Sequence, residues 1–421
     1  MGTREPAADH PSTSALSLRM ALPASRARGC MLGLMVGDAL GAAFEGFPAD
    51  EIKEIAMRTW NSARVEGYIP AVHMATYVSA GEPGLYRAAR PLEEAGFVAT
   101  GPPRTEAVMK QCARVGMYTD DTNSALALAA SIVENKCVDS GHAALNYAKF
   151  WLEGDAVRGY PPTAQKVMQA VLDGVKPCEA GLPPHFPFPG GSFANGAAMR
   201  IAPLAIAYRN ADGKTLRKAV EESVLSSHRH PEAIDFATVQ AAAVQYALSC
   251  GDVADFDADR LLNNVAEHCE TAVMRGVVLA TRDALRSARP LAAATSPSAH
   301  FLHDEEAVIM KDALKNIIAS ERRPGSGFDF QIASVHMAPC VLWCVCRHAS
   351  DPRRAIQEAI ALGGDTDTTA TMVGAVVGAL HGDGAWCAGW ASGLENGSRG
   401  RDYALRLAEA LAALDITGAP S

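Results

Sequence analysis

The chain has 421 residues, of which 48% are hydrophobic and 20% are charged, a composition ordinary for a soluble globular protein with a large core. Its formal net charge of −9 argues against nucleic acid or an anionic membrane as a partner. An anionic substrate would have to be bound locally, by metals, helix ends or a few cations. No apolar stretch reaches the roughly 18 to 20 residues that a membrane span needs, so we expect no membrane association.

The amino-terminal segment has an unusual composition. It contains Arg4, Arg19, Arg26 and Arg28 together with several serines and alanines. Its acidic residues and early prolines favour a disordered tail over residues 1–27, and a mitochondrial transit peptide is the alternative. We expect a cytoplasmic protein, or a mitochondrial one if this segment is a transit peptide.

The ten cysteines are spread widely and lie mostly in apolar runs. Secreted disulfide frameworks are shorter and denser, so we interpret these residues as reduced, buried thiols. The tightest group is Cys340, Cys344 and Cys346, followed by His348. Because this group lies in an apolar helical pattern, we expect it to belong to the core, with a metal site as the alternative.

Glycine recurs every four residues in the first predicted helix, residues 29–44. The glycines are Gly29, Gly33, Gly37 and Gly41, and the same spacing returns at Gly374, Gly378 and Gly382. Glycine is a poor helix former, so a helix that carries four must gain something from them. Residues four apart lie on one face, and a ridge without side chains lets another helix approach closely. The spacing therefore predicts tight helix packing beside acidic residues.

Helical patterns continue along most of the chain after a weakly periodic stretch at 61–117. They cover residues 124–133, 143–152, 164–172, 195–208, 215–225, 233–248, 257–287, 305–321, 334–347, 352–362, 369–381 and 402–414. Clear strand alternation is nearly absent. The sequence therefore predicts one all-α domain of roughly a dozen helices.

Two acidic clusters each precede a helical pattern. The first is Thr119-Asp120-Asp121-Thr122, and helix capping alone would explain it. The second is Gly363-Gly364-Asp365-Thr366-Asp367-Thr368, in which an extended backbone would aim both aspartates the same way. A cap needs one oxygen acceptor, whereas this cluster supplies four oxygen-bearing side chains. Hard divalent cations prefer such ligands, so the clusters together predict a two-metal site that activates water.

Other polar residues could contribute to the same site. Asp38 lies inside the first apolar helix, where we expect a structural hydrogen-bonding role, and Glu45 lies at the helix end, from which it could reach a cleft. The segment from Gly190 to Asn195 precedes a helical pattern and could cradle an anion with free N–H groups, although capping and a turn would also explain it. His228 lies before another helix start, where a cap or surface role is the alternative.

Four segments together resemble one family, the ADP-ribosylglycohydrolases. In chain order they are residues 29–45 (GCMLGLMVGDALGAAFE), 118–122 (YTDDT), 195–204 (NGAAMRIAPL) and 363–378 (GGDTDTTATMVGAVVG). The resemblance implies a single compact, orthogonal multi-helix all-α domain, here residues 28–415. It also implies two divalent cations, Mg²⁺ or Mn²⁺, and hydrolytic removal of ADP-ribose from a modified protein or small conjugate. The partner is then the ADP-ribosylated molecule, and we expect a monomer.

The resemblance also implies roles for matching residues. The implied metal ligands are Thr119, Asp120, Asp121, Asp365, Asp367 and Thr368. Glu45 resembles a family glutamate beside the scissile bond, and the catalytic base is left open among Glu45, Asp121 and Asp365. The implied diphosphate and ribose contacts are Gly190, Gly191, Ser192, Phe193, Asn195 and His228.

The chain departs from the family pattern in the 73 residues between Glu45 and Thr119, and in Asn123 and Ser124, which follow YTDDT where bulkier or amide residues are common. We expect an insertion at 61–116 that forms a lid or a partner surface. Two alternatives to an enzyme are a module that binds ADP-ribose without cleaving it and a crystallin-like structural relative. Every expected acidic ligand is present in this chain, which favours the enzyme.

Overall fold

Helices form nearly all the regular structure. The structure is a computed structural model that describes residues 23–69, 116–154, 158–288, 299–386 and 388–420. The first eight helices are α1 (Ala24–Gly41), α2 (Ala49–Trp60), α3 (Asp120–Asn135), α4 (Ser140–Leu152), α5 (Pro162–Leu172), α6 (Pro177–Ala180), α7 (Ala202–Ala207) and α8 (Gly213–Val224). The others are α9 (Pro231–Ser249), α10 (Ala258–Glu267), α11 (Ala272–Ser287), α12 (Ala299–Ala319), α13 (Ser334–Arg347), α14 (Pro352–Ala361), α15 (Thr366–His381), α16 (Ala388–Gly393) and α17 (Arg401–Ala413).

Within those ranges no β-strand occurs, and strand-like pairing is limited to isolated bridges. Short 3₁₀ turns occur in these ranges at Ala42–Phe44, Asn195–Ala197, Val253–Asp255 and Asp383–Ala385. One large apolar core joins the amino-terminal, central and carboxy-terminal helices. The predicted all-α class and single domain are confirmed.

Helices α1 and α15 pack backbone against backbone through the two glycine ridges. A Cβ atom added to Gly33 would lie 2.1 Å from the carbonyl oxygen of Gly374, and one added to Gly374 would lie 2.1 Å from that of Gly33. A Cβ atom on Gly37 would lie 2.0 Å from the carbonyl oxygen of Ala370. No side chain fits between the helices at these positions, so the prediction of tight packing is confirmed.

Helix α1 lies inside the protein and begins earlier than expected. Its first turn is ordered from Ala24, where Arg26 donates to the Leu248 carbonyl oxygen at 3.3 Å and Arg28 Nε donates to Asp383 at 2.6 Å. The expected tail over 1–27 is therefore wrong for residues 24–27. Residues 1–22, like most of the expected insertion, lie outside the described residues.

The expectation that no segment is long and apolar enough to span a membrane is also wrong. Among the described residues, Ala24–Phe44 meets that test by length and composition, but 83% of its most apolar window is buried in the protein.

Two predicted helices are shorter than the sequence pattern suggested. The pattern at 257–287 is divided into α10 and α11, because the Asp235 carboxylate accepts the N–H groups of Glu270 at 3.1 Å and Thr271 at 2.8 Å. The pattern at 195–208 becomes a 3₁₀ turn followed by α7. At the start of this turn the Asn195 N–H donates to the Ile332 carbonyl oxygen at 2.8 Å, a contact with a distant segment of the chain.

The cysteine group at the end of α13 belongs to the core. Cys340 and Cys344 are fully buried in the helix, and all the described cysteines are free thiols. His348 is buried, but among the described residues this group does not converge as metal ligands would. The interpretation as core is therefore confirmed.

We expect Gly33→Ala to lower the free energy of unfolding by about 3 kcal/mol or more, because the new methyl group would overlap a backbone that cannot move aside. The matched control is Gly276→Ala, in the exposed middle of α11, where an added Cβ meets nothing within 4 Å. In that variant the free energy of unfolding should rise by about 0.5 to 1 kcal/mol, because alanine has a higher helix propensity than glycine. Urea unfolding of both variants measures the difference, and a neutral Gly33→Ala would contradict the packing argument.

Candidate functional site

Acidic residues from three distant segments meet in one cleft. Glu45 follows α1, and Asp120 and Asp121 form the first turn of α3, while Asp365 and Asp367 begin α15. Carboxylate oxygens of Glu45, Asp365 and Asp367 lie within 4.8 Å of one another. Since these oxygens also face the start of α3 across the cleft, the expected convergence is confirmed.

The two acidic clusters come within direct contact distance. Thr368 Oγ1 lies 3.5 Å from Asp121 Oδ2, although 247 positions separate the two residues in the chain. The negative charge of Asp365 also acts on Asp120 and Asp121. The predicted proximity of Asp120 and Asp365 is therefore confirmed.

A pair of glycines sets the position of the second cluster. Gly363 and Gly364 have φ angles of +76° and +78°, which side chains rarely adopt. The Gly46 N–H donates to the Gly364 carbonyl oxygen at 2.7 Å, and the Gly364 N–H donates to the Phe47 carbonyl oxygen at 2.9 Å. These bonds fix Glu45 beside Asp365. The sequence led us to expect an extended segment, and that expectation is wrong, because Asp365 is the residue at the start of α15 and Asp367 lies in its first turn.

Asp38 organises the first cluster from inside α1. It is fully buried and accepts hydrogen bonds from the Thr119 N–H at 2.9 Å, the Thr119 hydroxyl at 2.8 Å and the Thr122 N–H at 2.9 Å. Thr119 itself caps α3 by accepting the Asp121 N–H. The expected structural role of Asp38 is confirmed, and capping and site formation occur together in this cluster.

A buried ion pair fixes the segment before Thr119, and sequence reasoning missed it. Arg158 pairs with Glu395 and donates to the Tyr118 carbonyl oxygen at 2.9 Å, while Glu395 accepts the Tyr118 N–H at 3.0 Å. The guanidinium also lies 3.6 Å from the centre of the Tyr118 ring. Neither charged residue lies in a recognisable sequence motif, because the segments that hold Tyr118, Arg158 and Glu395 are far apart in the chain.

The crowded carboxylates have strongly perturbed acidities. Burial, followed by the charge of Asp38, raises the pKa of Asp120 to about 8. Burial and neighbouring carboxylates raise the pKa values of Asp121 and Asp367 well above the usual range, and burial also raises that of Asp365. The folded protein therefore holds protons at this site near neutral pH unless a cation replaces them.

The site fits a hard divalent cation. Asp121 Oδ1 is buried and accepts no hydrogen bond from any described residue. The surrounding donor atoms are carboxylate and hydroxyl oxygens, which Mg²⁺ and Mn²⁺ prefer. A buried carboxylate oxygen without a donor is costly, and a cation would relieve that cost.

The cleft continues from the carboxylates to a second wall. Its volume is about 320 Å³, and Ser192, Asn195 and His228 line it opposite the acidic cluster. Asn195 Nδ2 donates to Asp365 Oδ2 at 2.6 Å and so belongs to both walls. Burial, followed by the charge of Arg200, lowers the pKa of His228 well below its usual value.

Other predicted contact residues lie behind this wall. Gly190, Gly191 and Phe193 are not among the residues that line the cleft. Gly191 has a φ of +79° and packs closely on Arg229. The Phe193 ring lies 5.7 Å from that of Phe188 and is half-buried.

The expectation that an α-helix start forms an anion cradle after Gly190 and Gly191 is wrong. The loop leads into a 3₁₀ turn at Asn195–Ala197, not an α-helix. Several of its N–H groups are already used, because that of Gly191 donates to Phe188, that of Ala194 to the Ser192 hydroxyl and that of Asn195 to Ile332. Side chains of the loop, not a helix end, therefore face the cleft.

The fold and the site define an all-α protein with a buried acidic centre at the end of an enclosed cleft. The sequence model of the ADP-ribosylglycohydrolase family matches residues 19–420. The chain belongs to this family of hydrolases.

Curated relatives and a solved structure agree with that assignment. ADP-ribosylhydrolase ARH3 of Mus musculus is 27% identical over 369 residues, which cover 85% of this chain and 84% of that protein. The Homo sapiens ARH3 is 27% identical over 372 residues, covering 85% and 86%. A structure described as an ADP-ribosylglycohydrolase-related protein complex has a TM-score of 0.57 and 22% identity, covering 94% of this chain and all of that one. That likeness supports the fold.

We expect the contribution of Asp120 to the stability of the metal-free protein to fall as pH rises from about 4 to about 8. The Asp120 pKa is raised to about 8, so in this window the folded state holds protons that the unfolded chain has released. Thermal unfolding in EDTA at several pH values measures the effect. Asp120→Asn should lack this falling contribution, and saturating Mg²⁺ should raise the melting temperature most at high pH. A stability difference between the wild type and Asp120→Asn that stays constant through this window would contradict the argument.

Proposed function

We propose that this protein is a metal-dependent hydrolase that removes ADP-ribose from a modified protein or small conjugate. The bond cleaved is the one at C1″ of the distal ribose, and the site holds two divalent cations, Mg²⁺ or Mn²⁺. The observation that carries the proposal is the convergence of Glu45, Asp121, Asp365 and Asp367, with one buried oxygen left without a hydrogen bond. Membership of the family and the names of the ARH3 relatives support the substrate class.

The proposed ligand set is the one that the family resemblance implies. The residues that would hold the cations are Thr119, Asp120, Asp121, Asp365, Asp367 and Thr368. When bound, the cations supply Lewis acidity that stabilises charge on ribose oxygens and makes a nearby water more acidic. Asn195 orients Asp365 by its hydrogen bond, and Asp38 orients Thr119, so two of these ligands are held in position by other side chains.

In the proposed reaction, the carboxylates of the site act on the attacking water. A water oxygen attacks C1″ as the bond from C1″ to the leaving group breaks, and one carboxylate accepts the proton of the water. Glu45, Asp121 and Asp365 all line this region, and we take the base from this set. The leaving group takes up the proton that the carboxylate accepted from the water, so that the carboxylate is regenerated and ADP-ribose carries the hydroxyl.

The second wall suits the rest of the substrate. Ser192 and His228 can donate hydrogen bonds to diphosphate oxygens. The ring of Phe186, which lines the same cleft and packs edge-on against Phe188, offers flat apolar surface for a purine base. A substrate with hydroxyls at one end and phosphates in the middle matches this order of contacts.

A protein that binds ADP-ribose without cleaving it is the second candidate. A release assay over Arg-linked, Ser-linked and acetyl-linked ADP-ribose and over the polymer separates the two and identifies the linkage. Binding of ADP-ribose with no release from any of them would favour the binding module.

We expect EDTA to abolish release of ADP-ribose, and added Mg²⁺ or Mn²⁺ to restore it, because the candidate ligands are all oxygen atoms. EDTA already saturated with Mg²⁺ is the control for the chelator itself. Undiminished turnover after exhaustive chelation would rule out the metal-dependent mechanism.

Asp367→Ala should remove most turnover and leave the fold intact. Neighbouring carboxylates repel Asp367, so its loss should change the free energy of unfolding by no more than about 1 kcal/mol without metal. The matched control is Asp283→Ala on the exposed side of α11, which should keep full turnover. Near-normal turnover of Asp367→Ala at saturating metal would remove Asp367 from the ligand set.

A further inference from the structure

A short chain of side chains leads from a buried arginine to the cleft. Arg200 Nη2 donates to Ser227 Oγ at 2.5 Å, and Ser227 Oγ lies 2.9 Å from His228 Nδ1. All three residues line the cleft opposite the carboxylates. The direction of each hydrogen bond determines what His228 presents to a ligand.

The donor and acceptor roles follow from chemistry. A guanidinium only donates, so Ser227 Oγ must accept from Arg200, and its single proton remains to be placed. That proton can point to His228 Nδ1 at 2.9 Å or to the Val224 carbonyl oxygen at 3.4 Å. The second distance exceeds the usual range for a hydroxyl donor. The shorter contact favours donation from Ser227 to His228 Nδ1, and that donation requires an unprotonated Nδ1.

Arg200 is a buried cation whose charge has no carboxylate partner among the described residues. It is 6% exposed, its guanidinium lies 4.2 Å from the centre of the Tyr147 ring, and its Nε has no hydrogen-bond partner there. A second positive charge beside it is unfavourable, and burial and Arg200 both lower the pKa of His228. The imidazole therefore stays neutral and carries its proton on Nε2.

The free edge of the ring faces the loop that lines the cleft. A Cβ atom added to Gly196 would lie 3.0 Å from His228 Nε2, so the absence of a side chain there leaves room for the ring. No described residue accepts a hydrogen bond from Nε2. The donor is thus placed beside Asn195 and Ser192 without a protein partner.

We propose that Arg200 and Ser227 are positioning residues that fix His228 as a neutral Nε2–H donor for an anionic oxygen of the substrate. This inference rests on the proposed function, in which that oxygen belongs to the diphosphate. The arrangement supplies a directed donor without adding a second positive charge beside Arg200. Arg200 lines the same cleft, adds positive potential to this wall and acts on His228 through Ser227.

The tautomer can be read directly in the metal-free protein without substrate. Long-range ¹H–¹⁵N correlation spectra of histidine-labelled protein distinguish a proton on Nε2 from one on Nδ1. The chain has twelve histidines, and the spectrum of His228→Asn assigns the signal. We expect a neutral ring protonated on Nε2. A proton on Nδ1 would overturn the proposal, whatever the outcome of any turnover assay.

The variant Ser227→Ala tests the hydrogen-bonded chain from Arg200 through Ser227 to His228. The His228 signal should change to a tautomer mixture, and the affinity for ADP-ribose in the presence of Mg²⁺ should fall roughly tenfold, as expected for a weakened bond to a charged group. Ser223→Ala is the matched control, because this buried hydroxyl of α8 bonds only to the Val220 carbonyl oxygen of its own helix. An unchanged tautomer and unchanged affinity in Ser227→Ala would overturn the proposal.

Arg200→Met and Arg200→Lys provide a second, independent pair. Methionine removes the donor to Ser227, so the serine can accept from Nδ1–H and the tautomer should shift, whereas lysine keeps a donor and should restore the Nε2–H form. If Ser227→Ala does not fold, this pair and the wild-type spectrum decide. Absence of release from every ADP-ribosyl conjugate would contradict the proposed function and leave the tautomer measurement unaffected.

Discussion

The direct contact between the backbones of α1 and α15 positions everything else in the site. The two helices touch along their glycine ridges, and the contact ends at the acidic residues, since a Cβ atom on Gly41 would lie 2.5 Å from the Cα atom of Asp367. Beyond this point the Thr366 hydroxyl donates to the Gly41 carbonyl oxygen at 2.8 Å. Close packing yields many small dispersion contacts and leaves little freedom to slide. The positions of Glu45 and Asp367 are therefore set by backbone geometry, before any side chain interacts.

That rigid frame holds a cluster of charges that does not favour folding by itself. Burial of several carboxylates is unfavourable unless each is hydrogen-bonded or neutralised. Asp38 receives three hydrogen bonds and Asp365 one from Asn195, but Asp121 keeps a buried oxygen without a donor. Such uneven compensation is expected where a site is kept ready for a ligand that supplies positive charge. The apolar core around the site provides the stability that the cluster lacks.

The sequence predicted the parts of the site that repeat or cluster locally. Glycine spacing indicated the tight helix pair, and the acidic groups at 119–122 and 365–368 indicated the centre, because both signals lie within a few residues. It did not predict Arg158 with Glu395, whose partners come from distant segments and leave no periodic pattern. The helix expected at 195–208 is only partly correct, since the structure has a 3₁₀ turn followed by α7 there. The bond from the Asn195 N–H to Ile332 is a long-range contact that local composition does not encode.

Under the proposed function, the two walls of the cleft recognise opposite chemistry. Glu45 and the aspartates present acceptors, which suit cations and the hydroxyls of a ribose. The wall that contains His228 presents donors, which suit phosphate oxygens, and Arg200 adds positive charge to the same wall. Asn195 joins the two walls, because its side-chain amide donates to Asp365 and the residue also lines the cleft beside Ser192. A neutral histidine with a fixed proton adds a directed donor to this wall without placing a second positive charge beside Arg200.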